Sequence, residues 1–251
     1  MANEDPGSAA LRVTGVKKSY SLGETKLEVL RGVDLAIPKA QMVSVMGPSG
    51  VGKSTLLNCI AGLDVPDAGR VEVLGEDVAR LDDEGRTLLR RRRIGIVYQF
   101  FNLVPTLTAR ENVLLPFLID GAAADPKEAL AALDRVGMAK RADHLPAQLS
   151  GGEMQLVSIA RALVRKPAVL LADEPTGNVN VATGRRIMAL LAEVVKEAGC
   201  AMLLVTHNPE DAARADRVVF MQDGAFAAEA ELRGADVSSA SVHDRLKSLG
   251  I

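Results

Sequence analysis

MVSVMGPSGVGKST, residues 42–55, decides how the rest of the chain is read. A short apolar run leads directly into a glycine-rich turn, and residues 53–63 continue with amphipathic helical spacing that closes at Gly62 or the neighbouring Asp64. Strand, glycine loop and helix in this order turn successive backbone N–H groups and the positive end of a helix toward one point, which suits an anion. Gly47, Gly52, Lys53 and Ser54 match G-x-x-x-x-G-K-[ST], so the expected occupant is a nucleoside polyphosphate. Pro48, Ser49, Gly50 and Val51 complete the loop around the α- and β-phosphates, Lys53 reaches the β/γ oxygens, the Ser54 hydroxyl ligates Mg²⁺, and Thr55 follows on the helix. An ordinary glycine-rich turn is the plain alternative; the strand before it and the helix after it weigh against that.

Two further segments bear on the same chemistry. VLLADEP, residues 169–175, sets Asp173 and Glu174 at the end of a buried apolar strand. Burying acids costs several kcal/mol unless a cation or hydrogen bonds compensate, so a metal–phosphate site is expected, with Asp173 toward Mg²⁺ and Glu174 as general base toward an attacking water. Solvated loop carboxylates are the bland alternative. LSGGEMQ, residues 149–155, is a second glycine turn opening a helix, and one nucleotide does not need two.

Around these segments the chain reads as α/β. Residues 11–20 and 27–37 alternate as half-buried, antiparallel strands do, whereas the runs at 70–74, 94–98, 168–172, 201–206 and 217–221 suit buried strands, the core ones a parallel sheet; an Asp223-Gly224 turn closes the last. Between Gln99 and Lys166 the pattern becomes helical: Asp125-Pro126 caps a helix ending near Gly137, and residues 151–164 form another. A polar stretch, GADVSSAS, precedes a last helix at 242–249. The 251 residues are 48% hydrophobic, enough for a full core, and 30 basic against 32 acidic residues argue against a nucleic-acid binder. Arg90 to Arg93 form the one dense basic run, which suits a helix C-terminus better than membrane lipid. Cys59 and Cys200 lack metal-ligand spacing and fit a reducing compartment; residues 1–10 lack the pattern of a signal sequence, and no apolar run approaches a membrane span. A soluble, cytoplasmic chain is expected.

Taken together, Tyr20, GPSGVGKST, Gln99, LSGGEMQ, VLLADEPTGN and the His207 of LLVTHN resemble, in order over residues 11–224, the nucleotide-binding subunit of ATP-binding cassette transporters. The resemblance implies a P-loop NTPase (RecA-like) α/β core at 11–98 and 167–230, with an antiparallel β subdomain and an inserted α-helical subdomain at 99–166, a flexible tail at 1–10 and a C-terminal extension at 231–251. It implies ATP and Mg²⁺ as ligands. Tyr20 would stack on adenine, Gln99 would sense Mg²⁺ and the attacking water, and His207 would contact the γ-phosphate. Without the family a lone tyrosine is more often surface packing, and His207 a satisfied structural histidine. The second turn would serve a partner: two cassettes, identical or not, dimerise head to tail, and Ser150, Gly151 and Gly152 of one close over the γ-phosphate held by the other.

Within the family the chain is similar to the lipoprotein-releasing, macrolide-efflux and cell-division branch, whose cassettes drive separately encoded membrane subunits from the inner face of the cell membrane. That leaves transport or regulatory signalling open. Tyr98, Phe100, Phe101 and Phe117 are four of the chain's seven aromatics, 5 Phe and 2 Tyr, and the loop at Phe100, Phe101 and Leu103 suits a docking surface for a membrane permease, with simple packing as the alternative. Three departures from the pattern stand out. Val179-Asn180 replaces Leu-Asp, which removes a charge at the dimer contact and implies slow hydrolysis, and Met154 and Leu156 make the helix surface after LSGG less basic.

Overall fold

The computed structural model describes residues 9–23 and 25–251. Ala9 and Ala10 already belong to the first strand, two residues ahead of the expected boundary, and residues 1–8 of the expected tail lie outside the described residues. Strands β1 (Ala9–Leu22) and β2 (Thr25–Pro38) pair antiparallel, and β4 (Ala68–Val73) and β5 (Glu76–Asp77) complete a four-stranded sheet in the order β2-β1-β4-β5. Between them run β3 (Met42–Met46) and α1 (Lys53–Ile60). Helix α2 (Asp83–Arg93) ends on the arginine run, as cations at a helix C-terminus favour, and leads into β6 (Ile94–Val97).

Three helices follow: α3 (Ala109–Ile119), α4 (Pro126–Arg135) and α5 (Gly151–Leu163). Thr108, Asp125 and Ser150 cap them through their side chains, which is why each begins where it does. Then come β7 (Val169–Asp173), α6 (Val181–Ala198), β8 (Ala201–Val205), the short α7 (Pro209–Ala212), β9 (Arg217–Gln222), β10 (Ala225–Phe226), β11 (Leu232–Arg233) and α8 (Ser239–Ser248). The second sheet runs β10-β9-β3-β8-β7-β6, with β11 also on β9; the five strands from β9 to β6 are parallel.

Alternate residues of the parallel strands feed two cores. Val169 and Leu171 of β7, with Leu203 and Val205 of β8, face α1 and the antiparallel sheet. Leu170, Ala172, Met202 and Leu204 face the helices, meeting Val113 of α3, Leu133 of α4, Ile159 of α5 and Ile187 of α6. Burial on both faces explains the unbroken apolar runs, and emptying such a position, Leu203→Ala for instance, costs about 2–5 kcal/mol. A third cluster joins Phe220 of β9 and Leu232 of β11 to Val242 of α8, so residues 231–251 pack on the sheet.

Three readings change. Helix α8 starts at Ser239, inside the polar stretch and three residues ahead of the expected start, because Ser238 and Ser241 form a reciprocal cap. Helix α6, unmarked in the sequence reading, begins where the Asn180 side chain accepts from Thr183 N. Leu156 is 3% exposed in the helix-facing core, so it removes no charge from the surface of α5; Met154 packs partly against the same core.

Candidate functional site

The parallel order sets the carboxyl ends of β3, β7 and β8 side by side, with Val45 opposite Val205 and Asp173 opposite Val205. Ligands of open parallel sheets bind at this edge. The glycine loop leaves β3 here, Asp173 and Glu174 end β7, Thr206 and His207 follow β8, and Gln99 follows β6. One cleft gathers them: Gly47, Ser49, Gly50 and Gly52 of the loop, with Lys53, Ser54 and Thr55, form one wall and Gln99, Asp173, Glu174 and His207 the other, while Pro48 and Val51 of the loop do not line it.

Gly47 has φ 155°, and a Cβ there would stand 2.4 Å from the Met221 carbonyl oxygen, so only glycine lets the loop pass this close beneath β9. Helix α1 has no side-chain cap, whereas every other α-helix among the described residues has one. Its first-turn N–H groups are left for a ligand in the cleft. Lys53 lies over the loop, donating from Nζ to the Gly47 carbonyl at 2.7 Å and the Pro48 carbonyl at 2.8 Å. Burial lowers its pKa against the pull of Glu174 and Asp173.

The Ser54 hydroxyl donates to Asp173 Oδ2 at 3.0 Å, and burial pushes the Asp173 carboxyl up while that bond draws it down. A hydroxyl and a carboxylate beside a phosphate loop are hard oxygen donors of the kind Mg²⁺ takes. Mg²⁺ held by one or two such groups ordinarily keeps waters and shares phosphate oxygens, which is what the Ser54 and Asp173 oxygens beside the loop suit.

Glu174 has φ 48°, a left-handed conformation anchored by its N–H to the Val205 carbonyl at 2.8 Å. Such backbone strain in a non-glycine residue persists where the surroundings enforce it. Its Oε1 lies 2.8 Å from His207 Nδ1, and its Oε2 accepts from the Thr206 hydroxyl at 3.2 Å. The imidazole is 72% exposed against 14% for the carboxylate, so His207 contacts Glu174 with one nitrogen and offers the rest of its ring to the cleft.

Two residues the sequence reading missed hold this wall. Gln155, 1% exposed, donates to the Tyr98 carbonyl at 3.2 Å and the Pro175 carbonyl at 2.7 Å, tying α5 to the two segments that carry Gln99 and Glu174. Its presence in LSGGEMQ was the available signal. Asp211 on α7 accepts from the Thr176 hydroxyl and braces the turn after Glu174; no pattern in the sequence marks it.

Ser150, Gly151 and Gly152 do not line this cleft. The Ser150 N–H and hydroxyl both donate to Glu153 Oε2, at 2.9 and 2.8 Å, and Ser150 Oγ accepts from Glu153 N at 3.3 Å. These bonds and Arg141 hold the Glu153 carboxyl below the usual range. A Cβ on Gly152 would meet Thr183 Cγ2 at 2.8 Å, so the turn lies tight against the first turn of α6. Tyr20 stands on the antiparallel sheet, 37% exposed, with its hydroxyl on Asp64 and not in the wall of the cleft. Phe100 is 68% exposed; Phe101 turns inward to Gly151, and Leu103 packs on the helix-facing core. No helix among the described residues is long and apolar enough to cross a membrane.

The sequence pattern of the ABC transporter family matches residues 30–177. The chain is 50% identical over 222 residues to the lipoprotein-releasing system ATP-binding protein LolD of Ruegeria pomeroyi, covering 87% of this chain and 97% of that one. It is 44% identical to the uncharacterized ABC transporter ATP-binding protein YbbA of Escherichia coli, covering 90% of this chain and 100% of that one. Among solved structures, the dimeric post-hydrolysis state of the ATP-binding cassette MJ0796 bound to ADP and Pi superimposes with a TM-score of 0.82 at 41% identity, covering 89% of this chain and 98% of that one. With a phosphate loop, two strand-end carboxylates and a separate LSGG turn on this fold, the chain belongs to the ABC transporter family, as an ATP-binding, ATP-hydrolysing subunit.

Proposed function

We propose that this subunit dimerises head to tail around two ATP molecules and drives a separately encoded membrane complex that releases lipoproteins; its LolD relatives are named as ATP-binding proteins of a lipoprotein-releasing system, and the MJ0796 cassette is dimeric. The observation that carries the reading is the separation of the two glycine turns. The loop after β3 shares a cleft with Asp173 and Glu174, while Ser150, Gly151 and Gly152 of the LSGG turn do not line it, which suits a nucleotide held by another chain. The core would comprise residues 11–98 and 167–230, the helical subdomain residues 99–166, and the assembly would sit on the inner face of the membrane.

Within each site the loop N–H groups and Lys53 bind the β/γ-phosphates. Ser54, Asp173 and Gln99 hold Mg²⁺, which supplies charge neutralisation at the phosphates when bound. Glu174 takes a proton from the attacking water, with Thr206 and His207 fixing its carboxylate; the free side of His207 reaches the γ-phosphate. Tyr20 stacks on adenine. Ser150, Gly151 and Gly152 close over the partner's γ-phosphate. Val181 and Phe100, at 69% and 68% the most exposed large apolar side chains described, support the two contact faces: Val181 follows Asn180 at the dimer contact, and Phe100 opens the docking loop with Phe101 and Leu103.

The test is to purify the tagged chain from membranes, identify its membrane partner by mass spectrometry, and follow lipoprotein release from reconstituted vesicles. Release should need ATP and stop in Glu174→Gln, which keeps ATP affinity and accumulates as a dimer. A Glu174→Gln variant that retains half its turnover, or a chain that brings down no membrane protein, contradicts the reading.

A further inference from the structure

Asp64 lies outside the phosphate cleft, four residues past the end of α1, and yet it gathers three donors. Tyr20 donates its hydroxyl to Oδ2 at 2.6 Å, Lys18 donates Nζ to Oδ1 at 2.5 Å, and the Val65 N–H donates to Oδ1 at 2.8 Å. Lys18 also donates to the Val65 carbonyl at 2.7 Å, and its Nζ stands over the Tyr20 ring, 5.3 Å from the centroid. The strap 64–67 is laced to β1 a second time, by Ser19 N to Asp67 Oδ2 at 2.8 Å and Asp67 N to the Lys17 carbonyl at 2.8 Å. It is laced to α1 by Leu63 N and Asp64 N on the Asn58 carbonyl, at 2.9 and 3.2 Å.

The consequence is geometric. A tyrosine on an exposed strand end turns about two side-chain torsions, and a phenol held at its far end by a carboxylate loses that freedom. The carboxylate that holds it is fixed to the same helix whose N-terminus opens on the phosphate loop. Lys18 stands over the ring, and with Tyr20 37% exposed there is open ring surface for a base.

We propose that Asp64 is a positioning residue for nucleotide binding: by clamping the Tyr20 hydroxyl, with Lys18 as its counter-charge, it fixes the Tyr20 ring as a base platform at a set distance from the phosphate loop. This rests on the reading of Tyr20 as the residue that stacks on adenine. The clamp acts before the ligand arrives, so it lowers the ordering cost of binding. Burial tends to raise the Asp64 carboxyl, and the bonds from Lys18 and Tyr20 outweigh it and leave the group below the usual carboxylate range, so the clamp stays ionised at neutral pH.

The experiment measures, by calorimetric titration of the purified chain with Mg²⁺ present, the affinity for the non-hydrolysable analogue adenylyl imidodiphosphate and for inorganic triphosphate, which has no base. Tyr20→Ala should weaken the adenine analogue roughly tenfold or more and leave triphosphate unchanged. Tyr20→Phe, which removes the donor, and Asp64→Asn, which removes the charge of the acceptor, should each weaken the adenine analogue about three- to tenfold, leave triphosphate unchanged, and lose no more when combined than Tyr20→Phe alone, because both act on the same hydroxyl–carboxylate contact. If Tyr20→Ala binds the analogue like the parent chain, the stacking reading fails and the clamp with it. If Tyr20→Ala loses affinity while Tyr20→Phe and Asp64→Asn do not, the ring stacks without a clamp and the proposal is overturned. Equal weakening of analogue and triphosphate by Asp64→Asn overturns it as well, since Asp64 would then be supporting α1 and not the base platform. Tyr20→Phe, which keeps the ring and the strand, secures the test should Asp64→Asn fold poorly.

Discussion

The molecule has two glycine turns that each open a helix, and their local chemistry is opposite. At α1 the helix has no side-chain cap, its lysine reaches back over the loop, and two carboxylates face it across a cleft. At α5 the helix caps itself: Ser150 and Glu153 satisfy each other, and Gly152 is packed against α6. The first turn is built around a ligand of its own chain. The second has the Glu153 N–H of its first turn and the Ser150 hydroxyl engaged within its own helix. Composition does not distinguish the two; the partners of the first-turn donors do.

The largest effect should separate the turns outright. Lys53→Ala removes a cation from the phosphates, and hydrogen bonds to charged groups are worth about 1.5–3 kcal/mol, so ATP affinity of the isolated chain should fall roughly ten- to a hundredfold. Ser150→Ala should leave that affinity within about twofold by the same titration, lose roughly 1 kcal/mol of stability as a helix cap, and slow steady-state hydrolysis about tenfold in the assembled complex. If Ser150→Ala weakens ATP binding to one chain as much as Lys53→Ala does, the distinction between the turns is wrong.

Asn180 sharpens the comparison from the partner side. Its side chain caps α6 on Thr183 N, next to the LSGG turn, and aspartate would cap as well and suit the helix dipole. Asn180→Asp should therefore not lower the melting temperature, and we expect kcat to rise up to about tenfold, from ~1.4 kcal/mol of added transition-state stabilisation, with ATP affinity unchanged. Leu156, buried in the core, offers no direct compensation at that contact. Steady-state ATPase with the membrane partner present decides it: an equal or lower kcat rules out a slow site.

The smallest effect concerns the cost of the first cleft. Burial raises the Asp173 carboxyl, so the folded chain holds that proton more tightly than the unfolded chain does. Ionisation above the folded pKa then lowers stability, and the loss disappears below the ordinary carboxylate value of about 4. Asp173→Asn should melt about 2–4 °C higher at neutral pH without nucleotide, equivalent to ~1 kcal/mol for a chain of this size, and the gap should close as pH falls. An Asp173→Asn chain that melts lower at neutral pH contradicts this.

The phosphate loop and the strand-end carboxylates were legible because each couples an unusual composition to a clear local element. Parallel strands buried on both faces write continuous apolar runs, so the sheet was legible too. The braces were not. Gln155, Asp211 and Asp64 act through contacts 57, 35 and 44 residues away in sequence, and nothing in a polar side chain announces a partner that distant. Leu156 was misplaced because a motif read by analogy says which residue differs and not which side of the helix it faces. Asn180 was noticed as a lost charge, while its local role as a cap, which needs only an oxygen, became clear from its hydrogen bond to Thr183.

The central claim, that the LSGG turn serves the nucleotide of another chain, is tested most directly by asking which chain meets the γ-phosphate. A size-tagged Lys53→Ala chain, impaired in holding its own nucleotide, is mixed with an untagged Glu174→Gln chain and an ATP analogue photoreactive at the γ-phosphate, and the labelled peptides are sequenced. The account predicts label in residues 149–155 of the tagged Lys53→Ala chain. Label in 149–155 of the untagged chain alone would show that each turn attends its own nucleotide, and would contradict it.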